Sequence, residues 1–546
     1  MKRWVELILL FFSFVSCTTS QRLHPAYEST NDPVPSPSVF PEVPCWNAYA
    51  KSFIWLPLFE VKEIEGAEYY TYTLRLETAG KTITWDGPLS SAALKRYWAS
   101  IPAGMVTFVI EGKDMEGNVV GKVLERRFYR ASPFMGITNC AKKSYRETAS
   151  AALSYIYHLP HVQAWLQTGM PDVRYSLYGY PSKIISSLID AMLVYSALPS
   201  TPREDSVKAM NIALRMASYL SHIASSSHPL LKDFPPTYDK AFVEKRKKVP
   251  SLPDPNGVNG IVEANADKLM MLYGYEYAGV MLDLFDRTKE KKWYDKAVSV
   301  ADAYKSLQLP CGTWHLKLNY FTAVPVDTHY MIPVRLVNFL HRLQNEYGKR
   351  DYIRVIEKAE QWIQQNPLKT FYWEGQFEDV PSYAQPYRNL SKYPPTDYAM
   401  YLLQHAPSEK NIALATELVR FAEDQFVMWS NPPSDSLLFN PWASRDTVAW
   451  LTPCALEQYH FYVPVDASAS QMIHAFLAMY RATANALYLQ KAIALANSIT
   501  RAARDNGEIT TVWTLSGFHT ENWLNCMVFS AKTLLELDEM MKNIKQ

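Results

Sequence analysis

Two periodicities divide this chain. Between Phe53 and Tyr129 apolar and polar positions alternate: Tyr70, Tyr72, Leu74 and Leu76 interleave with Thr71, Thr73 and Arg75, and Val106, Phe108 and Ile110 repeat the pattern. A period of two buries one face of a strand and wets the other, and Glu116-Gly117-Asn118 carries hairpin-turn chemistry. Short strands across 46–132 predict a small β-sandwich. From about Ser144 the period lengthens to 3.6, the spacing of amphipathic helices. Helices are expected near 145–166, 181–199, 206–226, 261–287, 290–308, 329–347, 351–365, 396–405, 410–428, 467–484, 487–504 and 521–542.

The links between these segments alternate in length. Those after each even-numbered segment are a few residues long, and those after each odd one are long. Six helix pairs joined in this way fit a closed ring of two layers, an (α/α)6 toroid over 140–546, with the even helices inside. Every long loop then lies on the rim where the inner helices begin, and the helix N-termini turn unpaired N–H groups toward it. A TPR-type solenoid fits less well, because its repeats run near 34 residues with short links, whereas these are nearer 65. Internal echoes support a repeat: Tyr277 to Ala297 is matched in outline by His474 to Ala492. Val324-Pro325-Val326-Asp327 and Val463-Pro464-Val465-Asp466 each stand where a helix is expected to open.

The first residues differ from the rest. Lys2 and Arg3 precede the apolar run Leu7 to Val15, which is too short to span a bilayer as a mature helix, and Cys17 follows. Residues 1–17 read as a targeting segment, and 18–45, rich in Pro, Ser, Thr and Asn, as a disordered tether. Cys45, Cys140, Cys311, Cys454 and Cys526 are too irregularly spaced for a structural zinc, so neither a metal nor a cofactor is expected. A net charge of +1 over 546 residues argues against nucleic acid as a partner. The basic run Lys245 to Lys248 reads as a solvated loop tip. The 35 Tyr and 15 Trp matter more, because aromatic rings cover the flat C–H faces of sugars while keeping a polar edge free.

Chemistry concentrates in the long loops, which mix aromatics, carboxylates and His. Hydrolysis of a glycosidic bond needs two carboxyl groups flanking it, and Asp327, Glu374, Glu378, Asp466 and Glu521 are the candidates. Asp327, Asp397 and Asp466 also stand where N-caps belong, and an N-cap Asp needs no catalytic reason. For Glu374 and Glu378 the plain alternative is a solvated loop. Trp314, His315, Trp373, Arg388, Trp442, Arg445, Tyr459, His460, Trp513, His519 and Trp523 are candidate substrate contacts; their alternative is packing. Arg388, Arg445 and Lys317 suit a uronate carboxylate. Tyr459 and His460 could instead form the acid/base pair of a lyase or epimerase.

The leader resembles a bacterial lipoprotein signal cleaved before Cys17, with Thr18 pointing to the outer membrane. Gly66-Ala67-Glu68-Tyr69-Tyr70-Thr71-Tyr72 resembles fibronectin type III or immunoglobulin-like modules. Over 140–546 the six-pair pattern with aromatic, acidic loops resembles the six-hairpin glycosidase superfamily. That resemblance implies a lipid-anchored enzyme of a polysaccharide-utilisation system, with carbohydrate and membrane as its partners. A glycoside hydrolase acting on chain ends is the first reading. A lyase or epimerase is the second, and a non-catalytic glycan-binding lipoprotein the third.

Overall fold

In the computed structural model, which describes residues 28–37, 39–40, 42–432, 450–513 and 521–545, the period-two region forms one five-stranded sheet. The strands are β1 (Ser52–Phe53), β2 (Tyr69–Leu76), β3 (Lys81–Gly87), β4 (Gly104–Lys113) and β5 (Val119–Arg130), in the order β1-β5-β4-β2-β3. The pairs are antiparallel except β1 with β5. Tyr72 faces Ile110 and Leu74 faces Phe108, so the alternating apolar residues of β2 and β4 share one buried face. A sandwich would cover that face with a second sheet. Here Phe59, Leu94 and Trp98 serve as the second layer, from a loop and short 3-10 turns. Alternation reports that one face is covered; it cannot report by what.

The helical region is a closed ring of six hairpins. α1 (Tyr145–His158) and α2 (Pro160–Thr168) replace the single first helix, because Pro160 cannot continue α1 but suits the first position of a new one. α1 opens on a capping box between Ser144 and Glu147. The antiparallel pairs that follow are α3 (Pro181–Ala197) with α4 (Arg203–Ile223) and α7 (Leu272–Thr288) with α8 (Lys291–Leu307). Then come α9 (Val334–Tyr347) with α10 (Ile353–Gln365), α12 (Tyr393–His405) with α13 (Glu409–Phe426), and α14 (Asp466–Thr483) with α15 (Ala486–Ala502). α16 (Leu524–Lys545) packs on α1 and completes the sixth.

Successive inner helices touch in the order α3, α7, α9, α12, α14, α16 and back to α3. The even-numbered of the twelve expected segments therefore form the inner layer, as the link lengths predict. Outer α10 buries only Val355, Ile356, Ala359, Trp362 and Ile363, one stripe, whereas inner α14 is buried from Asp466 through Ile473 without a break. Three short helices lie in the long loops: α5 (Lys240–Lys247), α6 (Val258–Asn265) and α11 (Pro367–Thr370). α5 takes in most of the basic run expected as a loop tip, and Arg246 is buried, donating to the carbonyls of Val173 and Pro253. α6 is the start of the helix expected at 261–287; a short strand, β6 (Lys268–Met270), paired with β7 (Lys317–Asn319), separates it from α7.

The sheet is fastened to the ring through α13. Buried Asp424 accepts from the backbone N–H of Ile54 at 2.5 Å and of Trp55 at 2.8 Å. Trp46 packs edge-on against Phe421 at 5.0 Å.

Candidate active site

The six inner helices enclose a cavity of about 1340 Å³ along the ring axis. Its upper wall carries charge. Lys183, in the first turns of α3, donates to Glu378 Oε1 at 2.8 Å, and the Tyr273 hydroxyl on α7 donates to the same carboxylate. Both Glu378 oxygens are thus engaged and its side chain is closed to solvent. The neighbouring Asp379 lines the cavity and is open to it. The surrounding ring wall displaces bulk water from that carboxyl and pushes its pKa up to about 7; the Glu378 charge adds to the rise and Lys183 opposes it. The two views of Asp379, exposed by area yet desolvated by its surroundings, agree once its free surface is recognised as cavity surface.

Opposite charges are paired around the same level. Arg335 on α9 meets Asp397 on α12 at 2.7 Å and lies 3.7 Å from Glu276 on α7. Gln471 on α14 donates to Asp397 at 2.9 Å. Burial raises the pKa of Glu276, and Arg335 counters it. Lys392, fully buried, holds Glu457 at 3.0 Å, and burial lowers its pKa to about 8. Ser468 also donates to Glu457. Asp379, Glu276, Asp397 and Glu457 all line the cavity, so four carboxyl groups from different elements converge on one space. Among the described residues no group of three or more His, Cys, Asp and Glu is arranged to hold a metal ion.

Of the residues expected to bind substrate, two line this cavity. Trp523 stacks on Tyr180 at 5.8 Å beneath the Lys183 ammonium, 4.4 Å above its ring. His460 receives the Tyr383 hydroxyl at Nδ1, 2.5 Å away, and burial lowers its pKa. Trp314, Trp373 and Trp513 are core residues; Trp314 donates to the Tyr304 carbonyl at 2.7 Å and Trp513 to that of Thr510 at 3.2 Å. Tyr459 is buried and donates to Gln425 at 2.5 Å, away from the cavity. Arg388 lies over Tyr49, toward the N-terminal segment. His315 packs beside Tyr330 at 5.7 Å. Trp442, Arg445, His519 and Cys17 lie outside the described residues.

The expected carboxyl set separates into four places. Glu378 sits behind the cavity wall. Asp327 and Glu374 form a second cluster around His329, 3.5 Å and 3.9 Å from its two ring nitrogens. Glu521 ties its loop to the turn at Ser176, whose N–H it accepts at 3.1 Å. Asp466 is wholly buried, accepts from Ser530 at 2.9 Å, and burial drives its pKa far above the usual range. None of the three expected N-cap aspartates caps a helix: those positions are Pro333, Lys392 and Val465. Val324 to Asp327 opens no helix either, since Lys317 accepts from Val326 N–H in a hairpin and α9 begins only at Val334. Lys183, Glu276, Arg335 and Glu457 are missed by the sequence reading, and Asp379, although it stands among the acids of its long loop, is not among the candidate carboxyl groups. Lys183 and Glu276 are charges set within largely apolar inner-helix segments, and that mismatch was the available signal.

No protein-family model matches the sequence, and no curated protein matches it. Solved structures that the chain resembles include a family 76 glycoside hydrolase from a bovine Bacteroides thetaiotaomicron strain (12% identity, 88% of this chain and 93% of that one, TM-score 0.43). Others are an unsaturated glucuronyl hydrolase specific for heparin (10%, 73% and 97%, TM-score 0.43) and the cellobiose 2-epimerase of Spirochaeta thermophila (11%, 74% and 98%, TM-score 0.47).

Proposed function

We propose that the protein is a glycoside hydrolase that cleaves neutral sugars from the ends of glycan chains inside the ring cavity. One observation carries the reading: Asp379 is a carboxyl open to the cavity whose proton is held to about pH 7, with a salt-bridged carboxylate directly behind it. A general acid needs that combination of access and retained proton. In the reaction Asp379 gives its proton to the glycosidic oxygen as the bond to the anomeric carbon breaks. Water adds to that carbon and yields a proton to a second carboxylate, for which Glu457, held by Lys392 and sensed by Asp379 across the cavity, is the candidate. The cavity cations Lys183, Arg335, Arg342 and Lys532 are already paired with carboxylates, which leaves none of them free for a uronate and favours a neutral sugar.

Incubation with a broad glycan panel should release new reducing ends, and Asp379→Asn and Glu457→Gln should each abolish them. Tight binding without product from the wild type would favour a glycan-binding protein. The His460–Tyr383 pair at the cavity supports a second reading, proton abstraction by a lyase or epimerase; an ultraviolet-absorbing unsaturated product or an epimer would reveal it. Export and attachment to the outer membrane by lipid on Cys17 belong to the same proposal, with glycan arriving from outside.

A further inference from the structure

The cavity continues well below the carboxyl groups. Its lining on α7 runs from Leu272 to Asp283, eleven positions, or about 16 Å of helix at 1.5 Å each. Glu276 is near the top of that run, which leaves about 10 Å beneath it. Ion pairs between neighbouring inner helices mark the floor: Lys532 of α16 with Asp190 of α3 at 2.5 Å, and Arg342 of α9 with Asp283 of α7 at 2.8 Å. The whole space, about 1340 Å³, exceeds the roughly 300–1,000 Å³ that encloses an ordinary small ligand, and a single pyranose is smaller than such a ligand.

Two features show that the lower chamber is shaped for an occupant. Gly279 stands in the middle of α7 and lines the cavity, and a Cβ built there meets nothing within 4 Å. A mid-helix glycine weakens a helix relative to alanine, and here no close approach of a neighbour requires it. What its missing side chain provides is room. Ser186, on adjacent α3, also lines the chamber; it is 2% exposed and its Oγ has no hydrogen-bond partner. A buried hydroxyl without a partner costs stability unless something arrives to satisfy it. Phe339 and Phe529 add apolar faces beside the paired charges. Paired ions present hydrogen-bonding groups without net charge, so the mixture suits a neutral, hydroxyl-rich ligand rather than an ion.

We propose that this lower chamber is a second sugar subsite, entered end-on, so that the unit released is a neutral disaccharide or longer and not a monosaccharide. The inference rests on the hydrolase reading for its reaction, but its binding can be measured separately. Ser187, half-buried on α3, also lines the chamber, and wild type, Gly279→Ala, Gly279→Phe and Ser187→Phe would be assayed on labelled neutral gluco-, manno- and xylo-oligosaccharides of increasing length. Calorimetric titration of the corresponding mono- and disaccharides on Asp379→Asn would run beside them, with thermal melts to confirm folding. The expected result is disaccharide or larger products, and at least tenfold tighter binding of a disaccharide than of its monosaccharide. Folded Gly279→Phe and Ser187→Phe should lose that preference, and Gly279→Ala should keep it. Monosaccharide as the sole product, or a phenylalanine variant that keeps the wild-type length preference, overturns the subsite. Binding without cleavage by the wild type overturns the hydrolase reading but leaves the binding result to decide the subsite, whereas full cleavage by Asp379→Asn overturns only Asp379 as its acid. A panel with neither cleavage nor binding overturns both.

Discussion

Replacing Asp379 by Asn should separate catalysis from stability, because the two responses have opposite signs. The folded chain holds the Asp379 proton to about pH 7, whereas an unfolded carboxyl releases it near 3.8. Between those values the folded state binds more protons than the unfolded one, so stability falls as pH rises through that window. Taken at face value, the difference costs the fold about 4 kcal/mol above pH 7. The carboxyl is open to cavity water, which screens it, so about 1–2 kcal/mol is the realistic size. Asn has the same shape and no charge to bury. Denaturant unfolding at pH 4.5 and pH 8 should therefore find Asp379→Asn equal to wild type at the lower pH and more stable by about 1–2 kcal/mol at the higher. Product formation should fall at least about a hundredfold. Equal destabilisation at both pH values with activity retained would refute the reasoning, since it would make Asp379 a structural hydrogen-bonding residue.

Glu374→Gln and Asp327→Asn touch a cluster outside the cavity, so each should lose far less than the about hundredfold expected at Asp379, as initial rates on a cleaved glycan would show. The Asp424 carboxyl, buried between sheet and ring, has its pKa pushed up to about 6. Asp424→Asn keeps the acceptor for Ile54 and Trp55 but loses the one for the Gln425 amide, 2.6 Å away, so it should be less stable than wild type at low pH and recover by up to about 2 kcal/mol as pH rises past 6. Asp424→Ala orphans both N–H groups and should cost about 1–3 kcal/mol per group at every pH, measured by the same unfolding series. Palmitate labelling of the expressed protein should disappear in Cys17→Ala; a soluble, unmodified wild-type product would count against anchoring.

The ring was legible because link length reports directly on which helices are antiparallel neighbours. Alternating short and long links specify hairpins and set all the long loops on one rim, whatever the side chains are. The site was less legible for a physical reason. Aromatic loop residues attract attention as sugar contacts, yet Trp314, Trp373 and Trp513 are consumed in holding those long loops onto the ring. A loop of that size needs its own core. The acids suffered the opposite error: Asp466 in a helix-opening motif is a buried group bonded to Ser530, while Asp379, without any motif, faces the cavity. Helix periodicity locates the apolar stripe of a two-layer ring, but inner helices have neighbours on both flanks and a cavity in front. Lys183 and Glu276 therefore sit in segments that look largely apolar, Arg335 in one that looks like an ordinary amphipathic helix, and only the folded ring shows that they share a wall.

Closure of the ring has a consequence for the order of events at the ribosome. The contacts of α16 with α1 and α3 join residues more than 300 positions apart, so the first hairpin partner to be synthesised waits for the last. Trp523, which completes the wall beside Lys183, enters the chain immediately before that final helix. A nascent chain can assemble five hairpins as they emerge, but it holds an open arc whose inner faces are wet. The cavity, and with it any chemistry performed there, comes into existence in one late step, which keeps a partly made chain inert until those last turns are in place.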